Sequence, residues 1–412
     1  MTRFGFPEAA PETVGLSAAG LDAVKAAVQS RVDAGAIAGA VTLTLRRGQL
    51  VDCRAMGMQK LETGDAMTAD TIFRIFSMTK PVTATAMMIL RDEGRWHPDD
   101  PIARHLPEFA GARVLVGIDA DGRPETSAAD HSPTMAELMS HRAGFGYGLK
   151  LGEPVDDIER LYRASDFWEA PDLATFTVRL AKLPLAYQPG ARWRYSLSMD
   201  LQGAIIERLS GQSLPDYYAT RIFEPLGMPD TAFHVPPEKQ SRLSGLYFRA
   251  GDAPLVPMAN PLLADFTSPP TLALGGAGLN STAGDYARYA QMLLNGGELD
   301  GKRIVSRAAI AEQTRNLLPE ALLETRFVAG HQKFRPGFGY GYNGVVVYDP
   351  NAAGLPVGRG SYHWDGAAGT WFWIDPENEL AFVGMIQLLS YTAPPLQEIT
   401  QTLMSEALAP SG

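Results

Sequence analysis

Only one cysteine, Cys53, occurs in the 412 residues, so no intrachain disulfide can form. It falls in Leu50-Val51-Asp52-Cys53-Arg54-Ala55-Met56, which reads as a strand, and a small buried side chain is its expected role. Long apolar runs are missing as well: no stretch approaches the roughly 20 residues needed to span a bilayer. Met1 to Gly20 has no basic segment followed by an apolar run, so a secretory signal is not expected and the cytoplasm is the expected location. Basic charge is in deficit, with 36 Lys and Arg against 46 Asp and Glu for a net charge of -10. A nucleic-acid partner would face a concentrated basic patch, and isolated pairs such as Arg46-Arg47 do not make one.

The seven histidines are scattered, with no His-Glu-x-x-His and no paired-cysteine spacing, so no catalytic metal is expected. Neither a phosphate loop nor a dinucleotide-binding glycine cluster is present, which leaves no expected cofactor. Gly275-Gly276-Ala277-Gly278 is glycine-rich but does not follow a strand in the required pattern. Asp119, Asp121, Glu125 and Asp130 read as a solvated acidic loop, without the spacing of paired-carboxylate chemistry.

What is present suits a globular enzyme of two domains: 45% apolar and 20% charged residues over this length. After Ser17, a plausible cap, Leu21, Val24, Val28 and Val32 recur at helical spacing until Gly35. Val41, Leu43 and Leu45 alternate with Thr42 and Thr44, predicting a half-buried strand, and Arg47-Gly48-Gln49 turns into a second. The far end repeats the pattern, with strands at 344–348, 369–374 and 380–386 and an apolar stripe Leu396, Ile399, Leu403, Ala407 on a closing helix. Neither end holds enough residues for a core alone, so both are expected to join one antiparallel sheet flanked by helices, an α+β fold. The expected sheet domain is 1–95 with 271–412, the expected mainly helical domain is 96–270, and the active site is expected in the cleft between them. Leu201, Ala204, Ile205 and Leu209 mark one helix, and Thr282 to Leu294 another with Asp285 completing a capping box. Loops are expected at 151–157, 251–270 and 330–337.

The most informative segment is Phe73-Arg74-Ile75-Phe76-Ser77-Met78-Thr79-Lys80-Pro81, followed by the apolar residues of a buried helix. Proline is tolerated only in a first helical turn, which places Ser77 at the helix start. Residues three apart share a helical face, so the Lys80 amine can approach the Ser77 hydroxyl. Burial penalises the ammonium, and a neutral amine can take the serine proton during attack. Ser-x-x-Lys is common by chance, and the same residues also fit a helix cap beside a solvated lysine.

This segment resembles the first motif of the family that contains class C beta-lactamases, serine D-peptidases and family VIII carboxylesterases. The resemblance covers nearly the whole chain. Leu138 to Gly144 resembles that family's His-Thr-Ser-Gly segment, and Gly278 to Asp285 its glycine-rich turn into a helix. Pro189-Gly190-Ala191-Arg192-Trp193-Arg194-Tyr195-Ser196-Leu197 resembles the second motif, Tyr-x-Asn, with Leu197 in the Asn place. Tyr195 then matches the phenol that exchanges protons with nucleophile and leaving group. A neighbouring ammonium would favour its phenolate, so either Lys80 or Tyr195 can be the base. Tyr362-His363-Trp364-Asp365-Gly366-Ala367-Ala368-Gly369 resembles the third motif, with Trp364-Asp365-Gly366 where beta-lactamases have Lys-Thr-Gly.

The resemblance implies an oxyanion hole from the backbone N–H groups of Ser77 and Ala367, and a beta-lactamase/transpeptidase-like fold. Substrate contacts are expected from Leu197, Trp364, Asp365 and Gly366. Leu197 can pack but cannot pair with an amide, and Asp365 opposes a substrate carboxylate. Those departures favour a carboxylesterase acting on short-chain or aromatic esters through an acyl-enzyme. A beta-lactamase, a D-amino-acid peptidase or amidase, and an acyltransferase use the same nucleophile and stay open, as does a non-enzymatic binding protein. A small ester is the expected partner. A Ser-His-Asp triad through His141 or His363 has no supporting motif, and a structural hydrogen bond is expected for each.

Overall fold

The computed structural model describes residues 2–149, 152–258, 265–323, 336–390 and 395–408. Three segments of the N-terminal part enter the main sheet: β1 (Gly39–Arg46), β2 (Gln49–Lys60) and β3 (Asp65–Ala66). Five come from the C-terminal part: β4 (Phe338–Tyr340), β5 (Val345–Val347), β6 (Ser361–Asp365), β7 (Trp371–Asp375) and β8 (Leu380–Met385). The order is β4-β5-β6-β7-β8-β1-β2-β3, antiparallel throughout, and β8 joins the chain ends by pairing with β1. Six helices of eight residues or more matter for the site: α1 (Ala18–Asp33), α2 (Thr79–Asp92), α3 (Asp157–Ala164), α4 (Ser198–Ser210), α5 (Ala283–Leu294) and α6 (Leu396–Glu406).

Strand alternation sorts the sheet's side chains onto two covered faces. Trp371, Trp373, Leu380 and Phe382 meet α1 and α6, while Phe372, Val383, Leu43 and Leu45 join the larger core with α2 and α5. The indole N–H groups of Trp371 and Trp373 both donate to Thr400 Oγ1, pinning α6 to its face. Because helices lie on both sides, β1 is buried at every position, Thr42 and Thr44 included. The half-buried strand read from its alternation is therefore corrected: the threonines face a helical layer, not water.

Ser17 Oγ accepts from Gly20 N at the start of α1, and Gly35 follows the helix in the left-handed region. At α5, Thr282 Oγ1 accepts from Asp285 N, but the Asp285 carboxylate turns instead to Asp230 N and Thr231 Oγ1. The reciprocal half of the expected capping box is thus replaced by a tertiary tie. Among the described residues, 96–270 adds no strand to the main sheet and carries α3, α4 and further helices. It also contains a hairpin, Arg113–Ile118 with Pro124–Ala128, where an acidic loop was expected. Asp119 and Asp121 occupy its turn and Glu125 its second strand, with Arg113 bonding across to Thr126. Asp157 opens α3 where a loop was expected, and most of the 330–337 expectation lies outside the described residues. Cys53 lies in β2, partly buried, and its surroundings push the thiol up to about 11.

Candidate active site

A short strand, Phe73–Arg74, pairs with Asn280–Ser281 and delivers the chain to a tight 3₁₀ turn, Phe76–Met78, immediately before α2. Phe76 adopts a φ of 42°, unusual for a bulky side chain, and its buried ring packs edge-on against Phe266. Met78 N donates to Ile75 O, and Tyr286 Oη donates to Met78 O at 2.8 Å. These contacts hold the turn so that Ser77 remains half-exposed while every residue of α2 from Thr79 to Leu90 is buried.

Lys80 is fully enclosed, and its Nζ lies 3.1 Å from Ser77 Oγ, 3.3 Å from Tyr147 Oη and 2.7 Å from Gly276 O. Asp200, on α4 and equally enclosed, accepts from Gly276 N at 2.9 Å, so the backbone of one glycine is gripped at both its N–H and its carbonyl. The close approach needs glycine: a Cβ at Gly276 would meet the Asp200 carboxylate at 2.8 Å, and one at Gly275 would meet Met199 O at 2.5 Å. Here is the role of the glycine-rich run that fitted no nucleotide motif. Burial pulls the Lys80 ammonium down to about 7, against the opposing pull of Asp200 and Asp365.

Tyr195 Oη donates to Ser77 Oγ at 2.8 Å. Burial holds this phenol well above its usual range, with Asp365 and Asp200 pushing the same way and the bond to Ser77 opposing. The phenolate expected from a neighbouring ammonium is therefore corrected, because enclosure and two carboxylates outweigh the amine. The Ser77 oxygen thus lies between an amine lowered to about 7 and a protonated phenol.

The loop bearing Tyr195 is anchored one residue earlier. The Arg194 guanidinium, 3% exposed, pairs with Asp156 at 2.6 Å and Glu159 at 2.9 Å, and Glu159 also accepts from the N–H groups of Tyr147 and Gly148. One buried network therefore holds both phenols at the lysine. Arg194→Met should lower the unfolding free energy by about 3–5 kcal/mol, because it leaves the enclosed Glu159 carboxylate without its cation. Urea denaturation measures this, and a loss below about 1 kcal/mol would show the network to be dispensable.

The third segment runs beside the Ser77 turn. Gly366 is buried, and a Cβ there would meet Ile75 O and Thr370 Oγ1, each at 2.3 Å, so close backbone packing requires glycine at this position. Ala367, next in line, is exposed, and neither its N–H nor that of Ser77 donates to a protein acceptor among the described residues. Trp364 is 6% exposed and backs the Tyr195 ring at 5.7 Å and the Tyr340 ring at 5.5 Å. Asp365 reaches solvent, yet protein surrounds it on enough sides to push its carboxyl up to about 6, with Lys80 pulling the other way. Water access moderates that push. Asp365 stands exposed at the end of β6, next to the glycine that closes on Ile75 O two residues before Ser77. Leu197 is corrected: it is wholly enclosed in the core at the cap of α4 and offers the cleft no surface.

His141 is buried and kept neutral, chiefly by its enclosure and then by Lys80; its Nδ1 lies 3.0 Å from Ser196 Oγ and its ring 4.9 Å from that of Tyr195. His363 lies within the sheet on β6, paired with Val345 and Trp373. Sequence reasoning missed Tyr147 and Asp200. For Asp200 a signal existed: an acid beside Leu201 on a helix whose apolar stripe predicts burial. Among the described residues no group of three or more His, Cys, Asp or Glu could hold a metal, and no helix is long and apolar enough to cross a membrane.

Known proteins resemble this chain along most of its length. Protein Rv1367c of Mycobacterium tuberculosis (strain ATCC 25618 / H37Rv) is 35% identical, over 89% of this chain and 90% of its own. Esterase EstB of Burkholderia gladioli is 30% identical, over 82% of each chain. The structure of EstCE1, described as a hydrolase with promiscuous acyltransferase activity, matches with a TM-score of 0.77 at 25% identity, over 94% of this chain and 98% of that one. The family described as Beta-lactamase matches residues 24–401, a span that includes Ser77, Lys80, Tyr195 and the 362–369 segment. With that match running almost from end to end, this chain belongs to the beta-lactamase family of serine-nucleophile enzymes.

Proposed function

We propose that this chain cleaves carboxylic esters through an acyl-enzyme on Ser77 and passes the acyl group either to water or to an alcohol acceptor. The observation that carries the proposal is the Ser77 oxygen held 3.1 Å from Lys80 Nζ and 2.8 Å from Tyr195 Oη. Neutral Lys80 takes the serine proton as Oγ bonds to the ester carbonyl carbon. Charge then builds on the carbonyl oxygen, where the free N–H groups of Ser77 and Ala367 stabilise it. The C–O bond to the alcohol breaks, Tyr195 supplies the proton to the leaving oxygen, and the proton on Lys80 replaces it. Water then adds to the acyl carbon and releases the acid, or a second alcohol adds and releases a new ester.

Short-chain and aromatic acyl groups suit the walls, since Tyr195 and Trp168 are half-buried rings and Tyr147 links them at 5.5 and 6.3 Å. Trp364 in place of a lysine withholds the cation that a beta-lactam or peptide carboxylate would seek. Acyl transfer to alcohols receives equal weight with hydrolysis, because the intermediate is shared and the similar EstCE1 is described with both activities. Incubation with p-nitrophenyl butyrate should leave a butyryl adduct on the Ser77 peptide by mass spectrometry. A competing short alcohol should then divert product from acid to new ester. An adduct on another residue, or none with turnover intact, would overturn the reading; acid as sole product at high alcohol would remove its transfer half.

A further inference from the structure

We infer that Asp365 makes the cleft selective for esters that carry an ammonium group. The inference rests on the acyl-enzyme reading of Ser77 and adds the charge class of the substrate. β6 ends at Asp365, directly before the glycine that closes on Ile75 and two residues before the exposed Ala367 amide. Along this strand Trp364 turns its ring inward onto Tyr195 and Tyr340, while Asp365 is turned out into solvent. Its carboxylate has no ion-pair or side-chain hydrogen-bond partner among the described residues, and Lys80 is the one cation whose charge reaches it.

The local charge is therefore unbalanced. Lys80 faces two carboxylates, Asp200 and Asp365, and Asp200 is already committed to the Gly276 amide. Asp365 alone is open to a ligand. An exposed carboxylate without an ion-pair partner makes the potential around it negative, drawing cations and repelling anions. The oxyanion of the reaction is stabilised separately by backbone N–H groups, so this negative field serves no step of the acylation itself.

Two matched sets of esters test the inference, near pH 8 so that Asp365 is ionised. One set varies the acyl group of p-nitrophenyl esters: 4-(trimethylammonio)butyrate, butyrate and hemisuccinate. The other keeps butyrate and varies the alcohol: choline, a neutral alcohol of similar size, and glycolate. In at least one set kcat/KM for the cationic ester should exceed that for the anionic ester by about tenfold or more. Asp365→Asn should bring that ratio to within about threefold of unity, and Asp365→Lys should invert it. Because the readout is a ratio within one variant, any general change in rate through Lys80 cancels. Raising NaCl to about 0.5 M should shrink the wild-type ratio without any substitution. Turnover of neutral esters with no cationic preference in either set, or a preference retained in Asp365→Asn, would overturn the charge selectivity alone. No turnover of any ester and no adduct on Ser77 would overturn the acyl-enzyme reading beneath it.

Discussion

Ser77→Ala is expected to lower kcat/KM for every ester substrate by about 10⁴-fold or more, the largest effect of any single substitution in this chain. Under the acyl-enzyme proposal, removal of the hydroxyl deletes the atom that would bond to the carbonyl carbon, and no neighbouring group would replace it. The Lys80 amine is fully enclosed, and the Tyr195 phenol is held protonated by burial. Ser77 is half-exposed at a turn whose geometry depends on Phe76, Met78 and Tyr286, so the alanine variant should fold normally. Some rate above the uncatalysed reaction should survive, because the N–H groups of residues 77 and 367 still bind the carbonyl oxygen. Steady-state kinetics on p-nitrophenyl butyrate, paired with circular dichroism, measures both points. A folded variant retaining more than a tenth of wild-type activity would refute Ser77 as the nucleophile.

Lys80→Met should reduce kcat/KM by about 10³-fold, within the usual range for loss of a positioned base. Methionine fills the apolar stem of the lysine, but it neither takes a proton nor donates to Gly276 O. The pH profile of the wild type carries the sharper test. Burial brings the Lys80 pKa to about 7, so the amine is charged and inert below that value and neutral above it. Activity should therefore rise as pH increases through the neutral range and level off by about pH 8. Were Tyr195 the base instead, the rise would fall at strongly alkaline pH, since burial holds that phenol above its ordinary value. A flat profile from pH 5.5 to 9 would defeat both assignments, and an alkaline-only rise would transfer the role to Tyr195.

Much of this was readable in the residues because it depends on neighbours in the chain. The three-residue spacing of Ser77 and Lys80, with Pro81 confined to a first turn, sets the hydroxyl and amine on one helical face. Ser17, the apolar spacing after it, and the Val- and Trp-rich strands likewise predict α1 and the sheet from local periodicity. Tyr195 was legible only through resemblance to a family motif, since nothing near it in sequence indicates a partner 118 residues away. The same resemblance misled at Leu197: a motif position does not dictate where a side chain points, and the cap of α4 turns this one into the core.

Sequence alone determined the place of Ser77 at the start of its helix, the elements of the antiparallel sheet and the absence of a cysteine pair. Tertiary structure alone decided the chemistry of the site. Tyr147 and the Gly276 carbonyl come to Lys80 from distant segments, and its burial among them lowers its proton affinity while Asp200, equally distant in the chain, pulls the other way. The physical reason is one of range. Periodicity and steric limits act over a turn or two of chain, whereas desolvation and Coulomb forces depend on everything that folding packs within several ångströms.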